Sequence, residues 1–321
     1  MKITSFLLLG IGIGILSCSE PKSGQTDTYN TGSITIAADE SYKPIIDQEL
    51  EVFGNSYPKT KITLKTTSQQ EALNLLFKDS VRVIIANREF TPAELAEIKE
   101  KRKGTRGKSI KIAEDAVAVV VNLANKDSLL SMDDLKGILS GTISDWSQID
   151  GSNKSGKIVP VFDNPNSSNL FTMAEKLKLN VEKLQASIYS SGGQAAVIDY
   201  VNTHQNAIGF IGVNWIIDQD SPTQMDFNKK IRVASIKSKA TDSTGYQPYQ
   251  AYLKTDFYPL ERSMYALTLE ARQGLGSSFI NWLTSDTGQR IILKAGLLPA
   301  NAPIRVIELS KDDPTTVKKE R

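Results

Sequence analysis

Apolar positions along the chain keep two periods. Ser33 to Ala38 (SITIAA) is a short apolar run that stops in the polar turn Asp39-Glu40-Ser41. Ile45, Ile46, Leu50 and Phe53 then share one face of a helix predicted over Lys43 to Phe53. Lys61 to Lys65 alternates like a strand, and Ser68-Gln69-Gln70-Glu71 has the form of a capping box opening a helix with Leu73, Leu75, Leu76 and Phe77. Val81 to Ala86 reads as another strand, ending at Asn87-Arg88. Thr91-Pro92-Ala93-Glu94 starts the next helix, with Pro at its first position. Strands alternating with helices at this spacing predict βα units and a mainly parallel sheet.

Ala116 to Leu123 (AVAVVVNL) is a continuous apolar run, which predicts a strand buried on both faces. The pattern then restarts. A short helix is predicted over Ser131 to Leu139, and a strand over Ile158 to Phe162 leading into Asp163-Asn164-Pro165-Asn166-Ser167-Ser168. Further helices follow from about Asn169 to Lys178 and after Ser190-Ser191-Gly192-Gly193. Ala207 to Gly212 is a strand, as is the stretch near Tyr265 to Leu269, and a helix runs through Phe279 and Trp282. Two α/β sheets in series predict two doubly wound lobes. Lobe 1 is assigned to residues 33–121 and 251–305, and lobe 2 to 122–250. Strands crossing at Val117 to Asn122 and at roughly Ala251 to Ala266 would form the hinge, with the ligand crevice between the lobes.

The amino end has a different pattern. After Lys2, Ile3 to Leu16 is apolar apart from Thr4, Ser5 and three glycines, short for a membrane span and suited to a signal peptide over residues 1–17. Ile15-Leu16-Ser17-Cys18 resembles the bacterial lipobox, which implies cleavage before Cys18, acylation there and a membrane-anchored lipoprotein facing the periplasm. Residues 18–32 then read as a flexible tether and 306–321 as a solvated tail.

Composition narrows the function classes. The 321 residues are 40% hydrophobic and 23% charged, which is globular and excludes a disordered tail, a collagen or a multi-span membrane protein. With 38 basic and 36 acidic residues the net charge is only +2, so no strong field draws the chain to nucleic acid. Cys18 is the only cysteine and His204 the only histidine. An intrachain disulfide is impossible, and a thiolate zinc site or a His-based triad has no material. No catalytic residue, metal or cofactor is expected.

The strand-to-helix corners carry the candidate chemistry. Unpaired N–H groups at helix amino ends favour an anion. Small polar residues recur at Asp39-Glu40-Ser41, Thr67-Ser68-Gln69, Asn166-Ser167-Ser168-Asn169 and Ser191-Gly192-Gly193, and Arg88 at a fifth corner could fork onto an oxyanion. The carboxylates Asp39, Glu40 and Asp163 suit an anion that still carries a proton. Monohydrogen phosphate can donate to them, whereas sulfate meets repulsion. The other reading of each of these residues is a helix cap or a local salt bridge.

Asp39 to Phe53 (DESYKPIIDQELEVF), Ala207 to Gly212, Tyr258-Pro259-Leu260-Glu261-Arg262-Ser263-Met264-Tyr265, Phe279 to Leu283 and Gly288 to Gly296 resemble segments of the phosphate-binding proteins of ABC transporters. The likeness spans about Ser33 to Pro299. It implies a type 2 periplasmic-binding fold that captures inorganic phosphate between two lobes and delivers it to the permease subunits of an ABC importer, as a non-enzymatic monomer. By position, Ser41 and Tyr42 match the family's first-loop contacts and Ser68 the hydroxyl of the second corner. Asn87 or Arg88 falls where the family has a proton-accepting aspartate. Asn166, Ser167 and Ser168 fall on its R-x-D-x-S-G-T loop, from which the arginine and the Gly-Thr are missing here. Asp163 or Asn164 would then hold that loop's aspartate position, and Arg88 would supply the missing charge. Arg262 is assigned to the hinge or the surface, Lys99 to Lys111 to a solvated helix end, and Trp146, Trp215 and Trp282 to core or interface. The altered loop leaves another oxyanion or small acid as an alternative guest. Other classes are an envelope phosphatase or hydrolase and an adhesion or signalling module that has lost its ligand.

Overall fold

The computed structural model describes residues 27–102, 105–152, 154–218 and 226–301. The signal peptide, Cys18 and the tail lie outside the described residues. The first half of the chain runs β1 (Gly32–Asp39), α1 (Lys43–Ser56), β2 (Thr60–Thr67), α2 (Gln69–Phe77), β3 (Val83–Ala86), α3 (Pro92–Lys101) and β4 (Lys108–Asn122). It continues through β5 (Leu129–Ser131), α4 (Met132–Ser140), β6 (Val159–Phe162), α5 (Ser168–Leu177), α6 (Val181–Ser187), β7 (Tyr189–Ser190), α7 (Gln194–Thr203) and β8 (Ala207–Gly212). Then come β9 (Ile231–Val233), β10 (Ser235–Lys237), α8 (Gln250–Lys254), β11 (Glu261–Thr268), α9 (Leu275–Leu283), α10 (Asp286–Lys294) and β12 (Leu298–Pro299).

The strands lie in the order β2-β1-β3-β11-β4-β8-β6-β7, with β9 and β12 also paired to β4. The two flanks are parallel, as β1 pairs β2 and β3, and β6 pairs β7 and β8. The middle is antiparallel, because β11 and β4 run against their neighbours. The mainly parallel sheet expected from sequence is therefore a feature of the flanks only.

β4 joins the two flanks. Its first part pairs β11, ending with Ala116 opposite Glu261, and its second part pairs β8, beginning with Val117 opposite Gly212. The chain returns alongside, where the Val117 N–H donates to the Leu260 carbonyl. The partner exchange falls at Ala116–Val117, earlier on the strand than residue 121. Val117 to Val121 are fully buried, as their unbroken apolar run requires. Tyr258 is buried beside this crossing and donates its hydroxyl to the Val117 carbonyl at 2.8 Å.

Two sequence expectations change. Lys108 to Lys111 belong to β4, and the basic helix end stops at α3, whose last turn holds Lys99 and Lys101. The end of the supposed tether is fastened down: Asp27 is buried, accepts the Leu275 N–H at 2.8 Å and pairs with Arg272. An anionic cap on the amino end of α9 thus orders the chain before β1 begins. No helix among the described residues is long and apolar enough to cross a membrane.

Candidate functional site

β1 delivers its last residue, Asp39, to the edge of the crevice. The Asp39 carboxylate accepts the Ser41 N–H at 3.0 Å and folds Glu40–Tyr42 into a single 3-10 turn. Facing it, β6 ends in the loop Asp163 to Ser167. Asn164 accepts the Asn166 N–H at 2.8 Å and Ser167 caps α5 by accepting the Asn169 N–H at 3.2 Å. These short polar turns aim Ser41 and Ser168 at each other.

The two corners meet directly. The hydroxyls of Ser41 and Ser168 lie 3.0 Å apart, and Ser168 donates to Asp39 Oδ1 at 2.6 Å. Ser41 also donates to Asn169 Oδ1 at 3.4 Å. Asn87 reaches from the end of β3 and donates to Thr172 Oγ1 at 3.0 Å. On the other side Asn214 donates to the Ser41 carbonyl at 2.7 Å, and the Trp215 ring N–H to the Glu40 carbonyl at 3.2 Å. Asp39, Ser41, Ser168 and Asn169 are all buried.

Arg262 lies at the centre. It stands opposite Asp115 in the β11–β4 ladder, so the pleat puts both side chains on one face. Its Nε and Nη2 each lie 2.8 Å from Asp115 Oδ2. Its Nη1 reaches Ser168 Oγ at 3.3 Å, with Thr172 Oγ1 at 3.5 Å. The guanidinium lies 5.3 Å from the centre of the buried Tyr42 ring. Burial raises the Asp115 pKa and the facing arginine pulls it back, so each charge depends on the other to remain in the interior.

The sequence-predicted residues divide into groups. Ser41, Tyr42, Ser167 and Ser168 are at the convergence. Glu40 and Asn87 each make one side-chain bond across the crevice. Ser68 and Asn166 line an outer crevice of about 330 Å³ with Asp39, Glu40, Thr66, Thr67 and Asn164. The Ser68 hydroxyl caps α2 by accepting the Glu71 N–H.

Asp163 is buried, with Oδ2 accepting from Asn164 at 2.7 Å and Oδ1 lacking a partner. Burial pushes its carboxyl up to about 6, Ser167 works against that through a hydrogen bond, and nearby Asp39 adds to it.

Arg88 is engaged within its own half. Its Nη1 and Nη2 grip Glu94 at 2.8 and 2.7 Å, and Nη1 also donates to the Glu89 carbonyl. That pairing holds the Glu94 carboxyl below its ordinary range. Arg88 does line a hinge-side crevice of about 500 Å³ with Arg262, but its fork is already taken by a carboxylate. The cation at the convergence is Arg262, assigned from sequence to the hinge or surface. Its signal was present in the strand period, because Leu260, Arg262, Met264 and Ala266 alternate inward. Thr172, Asn214 and Asp115, which carried no signal in the sequence, also contact the convergence.

One guanidinium, facing hydroxyls, helix amino ends and several carboxylates can hold a small oxyanion that brings its own proton. Two α/β halves joined at a two-strand crossing and meeting over a polar crevice have the type 2 periplasmic-binding fold. The chain belongs to the PBP superfamily, whose domain model matches residues 23–287. It is 22% identical over 279 residues to the phosphate-binding protein PstS of Borreliella burgdorferi, covering 84% of this chain and 90% of that protein. The phosphate-binding protein PstS of Staphylococcus aureus is 22% identical over 287 residues, covering 88% of this chain and 83% of the relative. Among solved structures, a substrate-binding protein from Clostridium perfringens with bound phosphate superposes with a TM-score of 0.71 at 21% identity, covering 84% of this chain and all of that one. An ABC-type phosphate transport receptor from Vibrio cholerae gives 0.62 at 22% identity, covering 83% and 99%. These structures share the fold.

Proposed function

We propose that this chain is a lipid-anchored solute-binding protein that captures inorganic phosphate between its two lobes and passes it to an ABC importer. The observation that carries the reading is the meeting of Asp39 and Ser41 from one half with Ser168 from the other, around the Arg262 guanidinium. Hydroxyls and the arginine donate to three oxygens of a tetrahedral anion, and a carboxylate accepts its proton. Asp163 Oδ1, buried and without a partner among the described residues, is the acceptor this reading assigns. Closure is a rigid rotation about the β4 crossing at Ala116–Val117, of the half built on β1, β2, β3 and β11 against the half built on β6, β7 and β8. The relatives named above are solute-binding proteins, which favours capture without turnover.

A thermal-shift panel of phosphate, arsenate, sulfate, molybdate and simple carboxylates tests the guest. Phosphate and arsenate should raise the melting temperature and sulfate should not, since a ligand at about 100 times its Kd adds about 2.7 kcal/mol. A larger shift with sulfate or with a carboxylate would reassign the guest.

The anchor rests on the lipobox-like segment ending at Cys18. Cys18→Ala should move the protein from the membrane fraction to the soluble fraction. Unchanged membrane attachment would remove the anchor from the proposal.

A further inference from the structure

We infer that Glu40 is an internal anion that latches the two halves and competes with the guest for the amino end of α7. The helices α2 to α6 each carry their own Ser, Thr or Asn cap. α7 has none: it begins after Gly193 with no side-chain cap. The cap comes instead from across the crevice, where Glu40 Oε1 accepts the Gln194 N–H at 3.1 Å. A carboxylate from one half thus occupies the positive end of a helix in the other.

The site is shaped for this approach. Gly193 has φ +155°, and a Cβ built there would come within 3.0 Å of Glu40 Oε1. The Glu40 backbone is held from the same half as α7, through the Trp215 bond to its carbonyl and the Asn214 bond to the next one. The carboxylate is therefore presented by a fixed turn. It lines the outer crevice, so a solvent anion can reach it and it can swing away.

Two anions cannot share this amino end. A second negative group there would meet Glu40 at contact distance in a partly buried crevice. Any guest drawn to α7 must first displace Glu40, and the apparent affinity is reduced by the fraction of molecules that are latched. This differs from the proton-accepting role that the sequence suggested for Glu40. The competition rests on the phosphate reading above; the latch does not.

The test pairs small-angle X-ray scattering without added anion with calorimetry using inorganic phosphate. Glu40→Ala should increase the radius of gyration and tighten phosphate binding about five- to tenfold. Glu40→Gln, which keeps the side chain's size and removes its charge, should move both in the same direction. An unchanged radius in both variants overturns the latch. A larger radius with weaker phosphate binding overturns the competition, because Glu40 would then be helping the guest. If the parent protein takes up no phosphate, the phosphate reading fails and the scattering alone decides the latch.

Discussion

Arg262→Met should weaken phosphate binding by about a hundredfold or more, since truncating one member of a buried charge-assisted contact removes several kcal/mol. The same change should destabilise the fold by about 3–5 kcal/mol, because Asp115 would remain buried without its counter-charge. The two losses have different causes and can be separated. In the Arg262→Met, Asp115→Asn double variant the stranded charge is gone, so denaturant titration should recover most of the stability. Calorimetry on that variant should still find the affinity lost, because the donor to the guest remains missing. Recovery of both would make Arg262 a structural residue only. Affinity unaffected by either change would place the guest elsewhere.

Asp163→Asn should cost phosphate at least about tenfold in affinity while sulfate improves, so that the preference between them narrows. A site built around a particular hydrogen bond discriminates by leaving a buried polar group unpaired when the wrong ligand enters. Here that group is Asp163 Oδ1, which has no hydrogen-bond partner among the described residues. As a carboxylate it would accept the proton of phosphate and repel sulfate, which has none to give. The pH dependence follows with a definite sign. Burial places the Asp163 carboxyl at about 6. Above that pH it is ionised and excludes sulfate; below it the neutral carboxyl can donate, and sulfate should begin to bind. Competition titrations at pH 5 and pH 8 should show the preference collapsing at low pH in the parent protein. In Asp163→Asn the preference should be small at both. A strong preference persisting at pH 5 would assign the discrimination to another group.

The local patterns were legible in the sequence because they depend on neighbours within a few residues. Alternation and helical spacing placed β1, α1, β6 and β8, and the polar corners after β1 and β6 are the ones that meet. The Arg88 ion pair is less legible, because it depends on where a helix places its first turn. Glu94 closes the Thr91 capping box, and the same carboxylate also takes the Arg88 fork. Arg262, assigned from sequence to the hinge or the surface, sits in the β11–β4 pair beside the crossing and is buried. The inward phase set by Leu260 and Met264 points to that burial, and Asp115 opposite makes it tolerable.

The cross-crevice bonds of Asn214, Gln194 and Thr172 had no sequence signal. Each joins residues far apart in the chain, and only the packing of the two halves against each other brings them together. The capping of α9 by Asp27 is of the same kind, linking a presumed tether to a helix hundreds of residues later.

A crystal structure of the protein grown in millimolar phosphate tests most directly whether the halves close on a small anion. Tetrahedral density between Ser41, Ser168 and the Arg262 guanidinium is the expected result, with Asp163 Oδ1 within hydrogen-bond distance of one oxygen. The Ser41 and Ser168 hydroxyls still touching each other, with no anion between them or with the anion bound at another surface, would contradict it.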